Sequence, residues 1–268
     1  MKKILAFLLA LLLAGSVSRA EGDWLYMIDV GKGDAIIVRA NEKTYLIDAG
    51  KSGAWEKVEA ALMENGVTEL AGVFLTHTDK DHAGGLKKLA KSDISVKTWY
   101  APMYSVDEGT DHPLIKATGK LDTEIVWLKA GDSVDGVFTV LAPLSLDRNN
   151  EDNNSLVLML DNGTARVLLA GDMENGEEQA LIRSGADLTC DVFKVPNHGD
   201  DDVCLLMDFD ELTAKTALIS TDPYDKPGTP DQWLVDRLTE AGMTVYCTEN
   251  AEKGIRVLLD GTLTVTVE

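Results

Sequence analysis

Thr76 to Gly85 reads THTDKDHAGG and follows directly on the apolar run Gly72-Val73-Phe74-Leu75. Two imidazoles and two carboxylates, His77, Asp79, Asp81 and His82, fall within six residues at the end of what reads as a buried strand. Successive side chains leave opposite faces of a strand-to-loop turn, so this alternation can aim ligands at two neighbouring metal ions. Gly84-Gly85 then lets the backbone turn tightly into an expected helix over Gly84 to Lys91. Charged residues often cluster in solvated loops, but four potential ligands at these offsets behind an apolar strand point to a metal centre.

Short β-type runs recur along the rest of the chain. They are expected at Leu25–Asp29, Ala35–Ala40, Lys43–Ile47, Val73–Leu75, Lys97–Tyr100, Glu124–Leu128 and Val137–Leu141. Further runs follow at Leu156–Leu160, Ala165–Leu169, Val192–Val195, Thr216–Ser220, Met243–Thr248 and Gly254–Leu259. Helical patterns lie between them at Ala54–Asn65, Gly176–Gly185 and Asp231–Gly242. The first carries Val58, Leu62 and Met63 on one expected apolar face, and the last Trp233, Leu234, Leu238 and Ala241. Strand pairs followed by helices, occurring twice, predict an α/β chain of two mixed sheets packed face to face with helices outside. The irregular stretch Pro102 to Asp122 is expected as a loop near the site mouth, and its His112 as a candidate substrate or metal contact.

HTDKDH resembles the HxHxDH signature of the metallo-β-lactamase superfamily, with Asp79 in place of the second histidine. That variant, followed by Gly-Gly-Leu, is similar to the extracytoplasmic hydrolase domain of ComEC-like competence proteins. MIDVGKGDAIIV (Met27 to Val38) resembles the opening DVGQGDA hairpin of that group, and YLIDAG (Tyr45 to Gly50) its second strand pair. NNSLVLML (Asn153 to Leu160), LLAGDM (Leu168 to Met173) and KVPNHGD (Lys194 to Asp200) follow in the same order. The resemblance spans about Trp24 to the C-terminus and implies an αββα sandwich with ligands on loops at one edge.

It also implies a ligand set for two divalent ions. His77 and Asp79 would hold the first ion, Asp81, His82 and His198 the second, and Asp172 would bridge them. Asp172 ends the apolar run Val167 to Ala170 after Gly171, where a glycine allows close backbone approach. A third histidine that many members give the first ion is missing, and Asn149 to Asn154 stand there instead. Asp152, Asn153 or Asn154 could supply an oxygen, and such an oxygen-rich set moves the expectation toward Mn²⁺ with Zn²⁺ as the alternative. Asp81 is the expected catalytic carboxylate, beside the attacking water. Asp48 is expected to orient a ligand histidine, and Asp29 and Asp34 to serve the turn of the opening hairpin in preference to the alternative of a place at the site edge. Two departures bear on turnover: Asn197 replaces the first of a late His pair, and Thr229 a histidine near the last helix.

Residues 1–20 read as a signal peptide, with Lys2-Lys3, the apolar stretch Ile4 to Ala14 and a small-x-small site at Ser18 to Ala20. An exported, extracytoplasmic hydrolase domain over 21–268 is the expectation, with no membrane-spanning segment after signal removal. The chain carries a net charge of −20, and loss of Lys2, Lys3 and Arg19 takes it to −23. A surface of that sign repels polyanions and offers no basic run for a nucleic-acid backbone, so long DNA is disfavoured as a substrate. Three cysteines, Cys190, Cys204 and Cys247, match no zinc ribbon; a Cys190–Cys204 disulfide or buried thiols both suit them. The resulting expectation is a metal-dependent hydrolase of a phosphodiester, in a small molecule or a cell-wall component. A metal- or ligand-binding member of the same fold without turnover is the competing expectation.

Overall fold

The computed structural model describes residues 22–222 and 224–268; the expected signal peptide lies outside them. Alternation sends Leu25 and Met27 to one face of the strand Trp24–Ile28 and Trp24, Tyr26 and Ile28 to the other, and both faces are buried. A strand covered on both sides is apolar throughout rather than every second residue, which is why these runs are legible at all. Ile36–Ala40, Val157–Asp161 and Arg166–Leu169 are built the same way.

Eight strands form the first sheet, in the order Val265–Val267, Gly254–Leu258, Trp24–Ile28, Ile36–Ala40, Lys43–Ile47, Gly72–Phe74, Thr98–Pro102, Glu124–Leu128. Seven form the second, in the order Thr244–Cys247, Thr216–Ile219, Val192–Lys194, Arg166–Leu169, Val157–Asp161, Phe138–Ala142, Ser133–Val134. Each is antiparallel on one side and parallel on the other, the change falling at Lys43–Ile47 in the first and at Arg166–Leu169 in the second.

The sheets meet over Leu25, Met27, Tyr45, Phe74, Phe138, Leu158, Val167 and Val257, with Phe74 stacked on Tyr100 at 4.6 Å. Outside the first sheet, Trp55, Val58 and Leu62 of the helix Trp55–Glu64 cover Ile37, Leu46 and Val73. Outside the second, Leu181 of the helix Asn175–Ser184 and Leu234 and Leu238 of the helix Gln232–Glu240 cover Leu168, Phe193 and Ala217. Each fully buried Leu or Phe in these layers contributes about 1.5–3 kcal/mol. This is the expected αββα sandwich.

Several local expectations change. Met63 and Trp233 are solvent-facing, at 70% and 50% exposure. Arg237 stacks on the Trp233 ring at 4.6 Å, so that tryptophan is covered by a cation rather than by the core. The stretch expected as a plain loop holds a helix, Pro113–Thr118, started by proline at its first turn. Gly84 to Lys91 is a shorter helix, Leu86–Leu89, preceded by a separate turn Lys80–Ala83 that carries Asp81 and His82. All three cysteines are free; Cys190 and Cys204 are buried in the second outer layer, where burial pushes the Cys190 thiol up to about 12.

Candidate metal centre

Ligands in open α/β sheets gather outside the carboxyl ends of strands where the connection pattern switches. Here Ile47 leads into Asp48, Phe74 into Thr76 to His82, Leu169 into Asp172 and Lys194 into His198, all at the strands flanking the two switches. The two sheets thus face their switch points toward one another, and the candidate ligands converge.

Asp172 stands in the middle. Its Oδ2 lies 3.0 Å from His82 Nε2, 3.0 Å from His198 Nε2 and 3.9 Å from His77 Nε2. His198 Nε2 is also 3.6 Å from Asp81 Oδ2, and His77 Nε2 is 3.5 Å from Asp152 Oδ1. Two overlapping groups result: His77, Asp79 and Asp152 on one side, Asp81, His82 and His198 on the other, with Asp172 touching both. The structure brings together all six sequence-derived residues, His77, Asp79, Asp81, His82, Asp172 and His198.

Hydrogen bonding behind the rings settles their tautomers. His82 Nδ1 donates to Asp48 Oδ2 at 2.8 Å, and His198 Nδ1 to the Ser220 carbonyl at 2.9 Å. The Thr76 hydroxyl spends its proton on Asp48 Oδ2 at 2.7 Å, so its oxygen accepts from His77 Nδ1 at 3.1 Å. All three Nε2 atoms therefore face the centre, the orientation metal-ligating imidazoles need. Asp48 does what the sequence suggested, and pins the Thr76 N–H as well at 2.8 Å.

Do these residues suit cations? His77 Nε2, His198 Nε2 and Asp172 Oδ1 are buried without a hydrogen-bond partner among the described residues, and buried polar atoms are rarely left so. Burial by itself would lower His82, yet Asp172 and Asp48 lift it well above the ordinary imidazole value. Burial, with Asp172, Asp79 and Glu174 close by, pushes the Asp152 carboxyl up to about 8. A field that gathers protons this strongly favours a bound cation, and the donor set of imidazole and carboxylate suits Zn²⁺ or Mn²⁺.

The asparagine-rich loop resolves one open choice. The Asn153 side-chain oxygen accepts from Glu177 N–H at 3.0 Å and that of Asn154 from Asp147 N–H at 2.8 Å, so both amide oxygens are taken by backbone donors. Asp152 alone of the three approaches a histidine. Asn197 donates to Glu174 Oε1 at 3.1 Å, and Thr229 donates its hydroxyl to the Lys226 carbonyl at 2.7 Å; neither belongs to the ligand groups.

Two features escaped the sequence reading. Asp34 is no mere turn residue: it is 2% exposed and pairs with Lys194 and the Ser220 hydroxyl. Lys194, 1% exposed, also donates to the Gly171 carbonyl at 3.0 Å and stands 3.7 Å from Asp172 Oδ1. A lysine inside the apolar run Val192 to Val195 was the available signal, because a buried ammonium demands a partner. Glu174 is the second feature, taking amide protons from Asn150 and Asn197 beside Asp152. His112 joins no ligand group; its Nδ1 accepts from Leu114 N–H at 3.3 Å. With Tyr104, Asp107 and Trp127 it lines a cavity of about 460 Å³, whose wall residue Ser105 donates to Glu151 at 2.8 Å.

The metallo-beta-lactamase superfamily model matches residues 28–221, more than half of the sequence. The chain belongs to that superfamily. It is 31% identical over 251 residues to ComE operon protein 3 of Bacillus subtilis, covering 86% of this chain and 32% of that one. Exodeoxyribonuclease WalJ of Streptococcus pneumoniae is 30% identical over 178 residues, covering 58% of this chain and 62% of the relative. The chain therefore spans about a third of the first relative's length. The metallo-beta-lactamase fold protein YhfI of Bacillus subtilis superposes with a TM-score of 0.53 at 14% identity, over 87% of this chain and 98% of that one, which establishes the shared fold.

Proposed function

We propose that this superfamily member is an exported, metal-dependent hydrolase of phosphodiester bonds in small molecules or cell-wall components. The observation that carries the reading is the convergence of three imidazole Nε2 atoms on Asp172 Oδ2, at 3.0, 3.0 and 3.9 Å. A match to an exodeoxyribonuclease supports the phosphodiester class, and the N-terminal pattern of Lys2-Lys3, the apolar stretch Ile4 to Ala14 and the small-x-small site at Ser18 to Ala20 supports export. No helix among the described residues is long and apolar enough to cross a membrane.

His77, Asp79 and Asp152 would hold one divalent ion, Asp81, His82 and His198 the other, with Asp172 shared between them. When bound, the ions would lower the pKa of a water and polarise the phosphoryl group whose phosphorus that water attacks. The chain's own residues supply the rest. Asp48, Thr76 and Ser220 lock the histidine rings so that no reorganisation is needed as charge develops. Asp81, 3.6 Å from His198 Nε2 and 18% exposed at its side chain, is the carboxylate assigned to receive the proton of the attacking water. With a net charge of −20, the chain approaches small diesters more readily than long DNA.

The test begins with elemental analysis of the protein loaded with Mn²⁺ or Zn²⁺ and desalted, followed by a phosphodiester panel with Asp172→Asn as control. Two ions per chain and turnover that Asp172→Asn abolishes are expected. One ion or none, or two ions with no hydrolysis of any diester, would replace the reading by a binding protein without turnover.

A further inference from the structure

We propose that Lys32 is an anion-binding residue at the mouth of this centre, poised to pair with a non-bridging phosphate oxygen of the substrate. The inference rests on the phosphodiester reading for its substrate class and on geometry for its place. Lys32 lies in the loop between the strands Trp24–Ile28 and Ile36–Ala40, between Gly31 and Gly33. Gly33 has φ +145°, and a Cβ there would fall 2.5 Å from the Asp81 carbonyl oxygen. Asp34 N–H donates to that same oxygen at 3.2 Å, so the loop is clamped onto the ligand segment. Lys32 Nζ accordingly sits 3.3 Å from Asp81 Oδ2, with its side chain 21% exposed.

Among the described residues two ammonium groups lie beside candidate ligands, Lys32 and Lys194. Lys194 is 1% exposed and already occupied by Asp34 and the Gly171 carbonyl, so no substrate reaches it. Lys32 keeps 21% of its side chain exposed and is paired only to Asp81 among the described residues.

Charge counting shows why such a cation matters. Asp79, Asp81, Asp152 and Asp172 together balance two divalent ions, leaving a nearly neutral centre inside a chain of net charge −20. An anionic diester arriving there gains little from the ions' charge alone, and the repulsion of the whole molecule opposes it. Thr229 gives no help, because its hydroxyl is committed to the Lys226 carbonyl. Lys32 places one positive charge against a ligand carboxylate at the rim.

Inorganic phosphate is the probe. Its binding to the Mn²⁺-loaded chain is measured by calorimetry for wild type, Lys32→Gln and Lys32→Arg, with metal content determined on the same samples. Lys32→Gln is expected to keep two ions and lose tenfold or more in phosphate affinity, and Lys32→Arg to retain most of it. In kinetics, Lys32→Gln should raise KM for an anionic diester, and Lys32→Arg should keep it near the wild-type value. Wild-type phosphate affinity in Lys32→Gln overturns the proposal, and so does loss of metal in that variant, which would make Lys32 a structural partner of Asp81. Absence of phosphate binding by wild type overturns it too. Two ions and Lys32-dependent phosphate binding without turnover of any diester would instead overturn the hydrolase reading and leave Lys32 in its role.

Discussion

Asp34 and Lys194 form an ion pair within a fully buried part of the site, and the consequences of breaking it are large. Removing one partner leaves an uncompensated charge in a low-dielectric interior, which costs about 3–5 kcal/mol. Asp34→Asn is therefore expected to lower unfolding stability by that order in urea titrations of the metal-free protein. The pair also predicts a pH dependence. Burial alone would raise the Asp34 carboxyl, but Lys194, followed by His82 and His198, holds it below the ordinary carboxylate value. Its contribution is then complete above the unfolded aspartate value of about 3.9 and disappears as pH falls through the lower folded value. Wild type should lose stability on acidification below about pH 4, and Asp34→Asn should lose less over the same range. Parallel urea curves at pH 6 and pH 3.5 check this; equal losses in the two proteins would contradict it.

At the level of elements, the least regular segment does the most exacting work. Asn154 is fully buried, donating to Asp147 O, Asn150 O and Glu151 Oε2 and accepting from Asp147 N–H at 2.8 Å. One amide thus gives the loop its shape and sets Asp152 opposite His77. Asn154→Ala removes those bonds while leaving every candidate ligand in the sequence. Its expected stability cost is about 1–3 kcal/mol for the polar groups left unmatched. Metal content should fall from two ions to one, read by elemental analysis, with the Asp81, His82 and His198 side still filled. Retention of two ions would mean that Asp152 is not a ligand. The same loop reaches the cavity beyond it, since Glu151 accepts from Thr78 and Ser105, both at 2.8 Å.

For the molecule as a whole, net charge governs which phosphodiesters approach. The charge of −20 acts over about a Debye length, roughly 8–10 Å at 0.1–0.15 M salt. Cleavage of an oligonucleotide should accordingly rise as NaCl increases from 10 to 150 mM, while turnover of a small diester changes little. A fall in oligonucleotide cleavage with salt would reveal an attractive surface and reverse the substrate preference proposed above. Loading the centre with metal should also raise the melting temperature with the logarithm of metal concentration over its dissociation constant, and a chelator should reverse the gain.

The sequence by itself determined the layered α/β architecture and the clustered side chains of His77 to His82, because both are written in short range. A strand buried on both faces is a continuous apolar run, and the His77 to His82 spacing is contained in one turn at a strand end. Asp172 and His198 entered as candidates through the order of motifs that the family resemblance implies, since a position just past an apolar strand is common in turns. The tertiary structure decided what depends on distant partners. Asp34 looked like a turn residue because its partners Lys194 and Ser220 lie far along the chain, Ser220 by 186 positions. Asp152 could not be chosen over Asn153 and Asn154 until the fold showed both amide oxygens accepting backbone N–H groups, from Glu177 and Asp147. Met63 and Trp233 shared the helical period of core residues, and only the packed sheets show that the apolar stripe ends before them. Local pattern constrains which face of an element is apolar; how far the neighbouring layer extends over it, and which charges meet inside, follows from the fold.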